Sequence, residues 1–183
     1  MEYRTLSRAE ISQLAQLDRT ETVERVYYLR DGTLILEQEH WDVPDWSAAE
    51  KGQRIVELQA LYDRGATFWG AYDESLLVGM TVLEHRGLPS GIGRMNLAGL
   101  WVSDGYRGQG VGRTLVRLAA HAAHTRGARA LYVSATPSEH TVRFYLSVGF
   151  QLAALIDPEL YAKEPEDIHL EWVLPQAISE GRG

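Results

Sequence analysis

The residues of this chain best placed to do chemistry are Arg107-Gly108-Gln109-Gly110-Val111-Gly112, followed at once by Arg113. An apolar run, 96–102, precedes them and ends in the turn residues Ser103, Asp104 and Gly105. After them Val111, Leu115, Leu118, Ala119 and Ala122 fall on one helical face. A strand, a glycine-rich turn and a helix in that order leave several backbone N–H groups without intrahelical partners at the helix start. Helped by the helix dipole and by Arg107 and Arg113, those amides would bind an anion such as a phosphate or pyrophosphate. The plainer alternative is that the glycines only make a tight strand-to-helix connection. Two familiar phosphate loops do not fit the spacing. A dinucleotide fingerprint needs a third glycine where Arg113 stands, and a nucleotide triphosphate loop needs a lysine that this segment lacks.

The elements that must position this segment can be followed along the chain. Residues 2–6 make a short strand, and Ser7 followed by Glu10 is a capping box opening an amphipathic helix with Ile11, Leu14 and Leu17. Residues 23–37 read as a hairpin turning at Asp31-Gly32, and 38–47, with a proline and two tryptophans, as a structured loop. Trp41 and Trp46 suit the lining of a cleft as well as they suit plugging the base of the hairpin. A second helix spans 48–64, with Ile55, Leu58, Leu61 and Tyr62 on one face and Gly65 past its end. Strands follow at 67–71 and 76–84, and 85–94, with Gly87, Pro89, Gly91 and Gly93, is a loop. Beyond the central helix come a buried strand at 130–135 and a helix at 139–148, introduced by Pro137 and Ser138 and stopped by Gly149. A strand at 150–155, an acidic loop at 157–167 and a last strand at 168–174 complete the pattern, with fraying expected from Pro175. No repeat or linker divides the chain, so 1–183 is one domain. A mixed sheet with helices on both faces follows, antiparallel early and with a right-handed parallel crossover in its middle. Parallel neighbours that splay apart there would open a slot above the anion cradle for a long, thin cofactor.

The 183 residues, 45% of them hydrophobic, are enough for a single core. A net charge of -7 argues against nucleic-acid binding, because Arg107, Arg113 and Arg117 are too few and too local to track a phosphate backbone. No run approaches the ~18 apolar residues of a membrane span, and the N-terminus lacks an apolar signal core. No membrane partner is expected, therefore, and a cytoplasmic location is. The lack of cysteine excludes thiolate metal sites and cysteine-bound covalent intermediates. His121 and His124 have no acidic neighbour in their run, which makes them surface residues rather than ligands, and no metal is expected.

Residues 107–112 resemble the Arg/Gln-x-x-Gly-x-Gly/Ala acetyl-CoA pyrophosphate loop of the GNAT family of N-acetyltransferases. Phe144-Tyr145-Leu146-Ser147-Val148-Gly149-Phe150 is similar to that family's later Phe-Tyr-x-x-x-Gly-Phe element, one strand and one helix downstream. The resemblance covers 80–174 well and 1–79 in general order only. It implies an α/β, single-domain acyl-CoA N-acyltransferase fold: a mixed central sheet with splayed parallel strands, plus an extra N-terminal hairpin. It also implies a cofactor-binding core at 80–155 and an acceptor-side region at 1–66. By the same resemblance the backbone from Gly108 through Gln109, Gly110 and Val111 to Gly112 would hold the pyrophosphate of acetyl-CoA, the acyl donor. Leu100, Trp101 and Val102 would pair with its pantetheine arm, one of their amides polarising the thioester carbonyl. Tyr145 matches the tyrosine that gives a proton to the departing thiolate; ordinary aromatic packing is the alternative role. Ser138 stands beside the cofactor arm where the family often has an asparagine.

Transfer to an amine needs the nitrogen neutral, although an alkylammonium has a pKa of about 10.4. Glu84 and His85, placed at the end of the strand before the central one, are the candidate bases, with Asp104 next and a base reached through water as the alternative. Asp157, Glu159, Glu164, Glu166, Asp167 and Glu171 crowd one segment. Facing the slot beside Glu37, Glu39 and Asp42, they would draw in a cation; otherwise they form a solvated loop. Trp46, Trp69 and Tyr72 are further residues for shaping the cleft. The expected activity is direct transfer of the acetyl group from acetyl-CoA to a small cationic primary amine, such as a polyamine, an amino-sugar antibiotic or an amino acid. A peptide or protein amino group is the alternative acceptor, and a non-catalytic acyl-CoA-binding sensor the alternative class. An apolar last strand at a sheet edge would let two copies pair as a homodimer.

Overall fold

The computed structural model describes residues 1–88 and 93–175. Pro89 and Gly91 of the expected loop, and the tail beyond Pro175 that was expected to fray, lie outside the described residues. The strands are β1 (Glu2–Thr5), β2 (Glu21–Arg30), β3 (Thr33–Val43), β4 (Thr67–Asp73), β5 (Leu76–Gly87), β6 (Arg94–Val102), β7 (Ala130–Ala135), β8 (Gln151–Leu152) and β9 (Ile168–Val173). The α-helices are α1 (Ala48–Asp63), α2 (Val111–Thr125), α3 (Glu139–Val148) and α4 (Pro158–Lys163). Seven strands form one mixed sheet in the order β1-β4-β5-β6-β7-β9-β8, while β2 and β3 make a separate hairpin. Side chains alternate across the sheet and so supply two cores. Phe68, Tyr72, Leu77 and Met80 pack with Ile11, Leu14 and Leu58. Trp69, Ala71, Val78 and Leu83 pack with Val111, Leu115 and Ala119 of α2.

Several local differences from the sequence reading have clear causes. The first helix is a 3-10 helix over Ala9–Gln16. Its apolar residues, Ile11, Leu14 and Leu17, recur every three positions, which stacks them on one side of a three-residue turn. β3 runs on to Val43 because Trp41 and Asp42 still find partners in Val23 and Thr22 of the long β2. The stretch expected as an acidic loop contains α4, capped by Asp157, whose carboxylate accepts from the Glu159 and Leu160 N–H groups, with Pro158 in the first turn. The strand expected at 150–155 shrinks to Gln151–Leu152, because the Ala154 N–H turns to the Glu171 carboxylate. β9 lies between β7 and β8, so the last strand is not the open edge foreseen for pairing two copies. Among the described residues no helix is long and apolar enough to cross a membrane.

One feature of the sheet positions the site. β6 and β7 are parallel and pair only at Arg94–Ala130, Met95–Leu131 and Asn96–Tyr132. Just beyond, Val82 faces Gly99 and Leu83 faces Leu97, leaving Ala98 as an extra residue in β6. Such a bulge bends and twists its strand. β6 therefore stays with β5 and leaves β7, and a slot opens between them.

Candidate active site

The turn from β6 into α2 points into that slot. Gly108 and Gly110 have φ of +73° and +85°, a left-handed conformation that a Cβ would penalise, and it turns successive amides towards one side. Among the described residues, none of the N–H groups from Gly108 to Arg113 donates a hydrogen bond of normal geometry to the protein; the first to do so is that of Thr114, to the Gly110 carbonyl at 3.0 Å. Gly112 serves a different end. A Cβ there would lie 3.2 Å from Cζ of Phe144, so its absence lets α3 close against the start of α2. Both arginines are already engaged. Arg107 donates from Nε to the Val102 carbonyl (3.1 Å) and from Nη1 to that of Thr20 (2.7 Å), while Arg113 grips the carbonyl and hydroxyl of Ser147, each at 3.0 Å. Bare amides, rather than free guanidinium groups, make this cradle.

β6 supplies the wall. The Ser103 N–H bonds the Val78 carbonyl of β5 at 2.9 Å, and this fixes the phase of the strand. Trp101, two residues earlier, likewise turns its main chain to β5, whereas Leu100 and Val102 turn theirs to the slot. The pairing role foreseen for Trp101 is thus lost to β5, and the Val102 carbonyl is taken by Arg107, leaving Leu100 and the Val102 N–H open. The Trp101 indole packs edge-on against Trp46, with ring centroids 6.0 Å apart. Tyr145 of α3 is 5% exposed and touches Phe144 and Phe150 edge-on, each at 5.1 Å. Its hydroxyl has no protein partner among the described residues and opens to the cavity. Burial is the main cause that raises the phenol's pKa, and the charge of Asp167 adds to it, so at neutral pH the hydroxyl keeps its proton.

Slot and cradle belong to a cavity of about 1790 Å³ that also takes in Glu84, His85, Ser134, Asp167 and Tyr145. That exceeds the roughly 300–1,000 Å³ of an ordinary single-ligand pocket and leaves room for two substrates. The Acetyltransferase (GNAT) family model matches residues 33–150, which run from β3, the second strand of the hairpin, through both strands of the slot to the Tyr145 helix. The chain belongs to the GNAT family. N-acetyltransferase 8 of Rattus norvegicus is 31% identical over 121 residues, covering 64% of this chain and 54% of its own. This GNAT chain spans about half the length of the curated relatives it matches. Its fold is similar to nourseothricin acetyltransferase, with a TM-score of 0.73 at 24% identity over 95% of this chain and 98% of that one. It is also similar to a putative streptothricin acetyltransferase from Bacillus anthracis str. Ames in complex with acetyl coenzyme A: TM-score 0.71, 13% identity, 95% and 98% coverage.

Other expected residues of this GNAT protein fall in and out of the site. Glu84 and His85 line the cavity, but from inside β5, which continues to Gly87. Glu84 accepts from Asn96 Nδ2 at 2.8 Å, and His85 Nε2 shares a 2.8 Å hydrogen bond with Thr67 Oγ1. Burial first, and the charge of Arg126 second, lower the His85 pKa, so its ring is neutral at pH 7. Ser138 lines the cavity, yet its hydroxyl is spent on Thr141 and Glu21 at the start of α3. Gln109 turns back to the Gly105 carbonyl (2.9 Å), and Asp104 pairs with Arg107 at 3.3 Å; neither lines the cavity. Trp46 does line it, but Trp69 and Tyr72 are buried in the cores. From the acidic segment Glu159, Glu164 and Asp167 face the cavity, whereas Glu37, Glu39 and Asp42 do not. Ser134, and Arg54 and Arg64 of the α1 wall, also line the cavity, and no motif or spacing marks them. Ser134 and Arg64 lie near the ends of their elements and Arg54 in mid-helix, positions that mean nothing until the fold is known.

Proposed function

We propose that this protein transfers the acetyl group of acetyl-CoA directly to a primary amine of a small molecule. One observation carries the proposal: the β6–β7 slot runs straight to backbone amides left without protein acceptors. A pyrophosphate there completes the hydrogen bonding of the α2 start, each anion–dipole contact being worth roughly 0.3–1 kcal/mol. The open Leu100 main chain pairs with the amide-bearing pantetheine arm, and the Val102 N–H is a donor for the thioester oxygen. Tyr145 donates its proton to the leaving sulphur. The neutral His85 and the Glu84 carboxylate line the same cavity and support general-base chemistry on an amine. A similar fold in a solved complex with acetyl coenzyme A supports the choice of donor. Glu159, Glu164 and Asp167 on the α4 side favour a cationic acceptor.

Calorimetry with acetyl-CoA, followed by thiol release across a panel of polyamines, amino-sugar antibiotics, amino acids and peptides, tests the proposal. Acetyl-CoA binding with amine-dependent thiol release is the expected result. Binding without turnover of any amine would make the protein an acyl-CoA sensor, and turnover of peptides alone would move the acceptor to the protein class.

A further inference from the structure

Asp167 enters the scheme above only as one of three acids that draw in a cation, yet its position differs from that of Glu159 and Glu164. It stands at the foot of β9, and its Oδ2 accepts a 2.8 Å hydrogen bond from Ser134 Oγ. Ser134 lies on β7 two residues past Tyr132, the last residue to pair with β6, so this carboxylate stands on the β7 wall where the slot is already open. Ser134, Asp167 and Tyr145 line the same cavity. The charge of Asp167 is felt at the Tyr145 phenol. Its second oxygen, Oδ1, has no protein partner among the described residues and is not sealed from the cavity.

We propose that Asp167, oriented by Ser134, takes the first proton of the acceptor ammonium in place of Glu84 and His85, which are held by Asn96 and Thr67, an inference that rests on the acetyl-transfer reading above. An alkylammonium loses two protons on becoming an amide. Asp167 accepts one, and the freed lone pair forms the C–N bond to the thioester carbonyl carbon. As the C–S bond breaks, its electron pair stays on sulphur, which takes the Tyr145 hydroxyl proton. The second proton on nitrogen passes through water to the Tyr145 phenolate, and Asp167 releases its own to solvent. One proton ends on coenzyme A and one in water. Burial raises the Asp167 pKa, with the Glu164 charge adding to it and the Ser134 hydrogen bond opposing, so the carboxylate is a stronger base than an exposed one. Glu164 acts on Asp167 through its charge and Asp167 acts on Tyr145; Glu166 and His169 flank it along the chain, and Glu159 and Lys163 of α4, Glu139, His140 and Arg143 of α3 and Glu21 of β2 line the same cavity.

The full chain and its Asp167→Asn, Asp167→Glu and Ser134→Ala variants would be compared by acetyl-CoA calorimetry and by thiol release against pH, with spermidine and nourseothricin as acceptors. Asp167→Asn should bind acetyl-CoA within about twofold of wild type, lose about 10²-fold in kcat/KM at neutral pH and lose the acid limb of the profile. Asp167→Glu should restore that limb. Ser134→Ala should move its midpoint upward, since the lost hydrogen bond favours the charged carboxylate. An Asp167→Asn enzyme that keeps the wild-type acid limb and rate overturns the inference while leaving acetyl transfer intact. A wild type that binds acetyl-CoA but acetylates neither amine overturns the inference through the acceptor it requires, and one that does not bind acetyl-CoA removes both readings.

Discussion

Gly110 and Tyr145 separate binding from chemistry at single residues. Gly110 has φ +85° and lies among the unpaired amides, with open space where a Cβ would project. Gly110→Asp therefore adds backbone strain and sets a negative charge where the pyrophosphate should lie. Calorimetry should show acetyl-CoA binding abolished, with the circular dichroism of the fold retained. Tyr145→Phe keeps the ring that packs on Phe144 and Phe150 and removes only the unpartnered hydroxyl. Turnover should fall about 10²-fold or more while acetyl-CoA affinity stays within about twofold. A rate close to wild type with chemistry rate-limiting would return Tyr145 to a packing role.

Short elements decide how the cavity is walled away from the glycine-rich turn. The hairpin docks through the Tyr27 N–H on the Pro137 carbonyl (2.8 Å) and through Arg25 on Glu139 (2.8 Å), which ties it to the start of α3. It thereby brings Glu21, Val23, Trp41 and Val43 to the cavity. α4 is only six residues long and depends on its cap: Asp157 is fully buried and accepts from two N–H groups, each at 3.1 Å. Asp157→Ala should cost roughly 0.5–2 kcal/mol in urea unfolding. It should also raise the amine KM more than the acetyl-CoA Kd, because α4 and its C-cap bring Glu159 and Glu164 to the cavity and nothing to the glycine-rich turn.

Across the whole molecule, charge pairs tie distant parts of the chain together. Arg94 and Glu171 meet at 2.6 Å with side chains only 9% exposed, and Arg94 also donates to the Leu155 carbonyl at 2.6 Å. Glu171→Ala would leave a buried guanidinium without its counter-charge, a loss of about 3–5 kcal/mol by guanidinium chloride unfolding. Nearer the surface, hydrogen bonds from Arg4 and Ser7 hold the Glu10 carboxyl down at about 2, from an ordinary value of 4.5. A depressed folded-state pKa contributes stability that is present above 4.5 and fades as pH falls to about 2. The stability gap between wild type and Glu10→Gln should therefore be full at neutral pH and close across that acid window.

By itself the sequence determined the glycine-rich turn, the order of strand, turn and helix around it, and the helix that carries Tyr145. Those features are local: positive-φ glycines, capping residues and a period of 3.6 or 2 act within a few residues of where they are written. Three things came only with the tertiary structure. Which strand edge stays open depends on where β7 stops pairing and on the bulge at Ala98, so Trp101 gave way to Leu100 and Val102. Whether Arg107 and Arg113 are free depends on carbonyls at Thr20 and Ser147 that no spacing reveals. Finally, Asp167 was one acid among six until β7 set Ser134 beside it. Side-chain roles fixed by partners far apart in the chain are settled by packing, and packing is decided by the whole molecule at once.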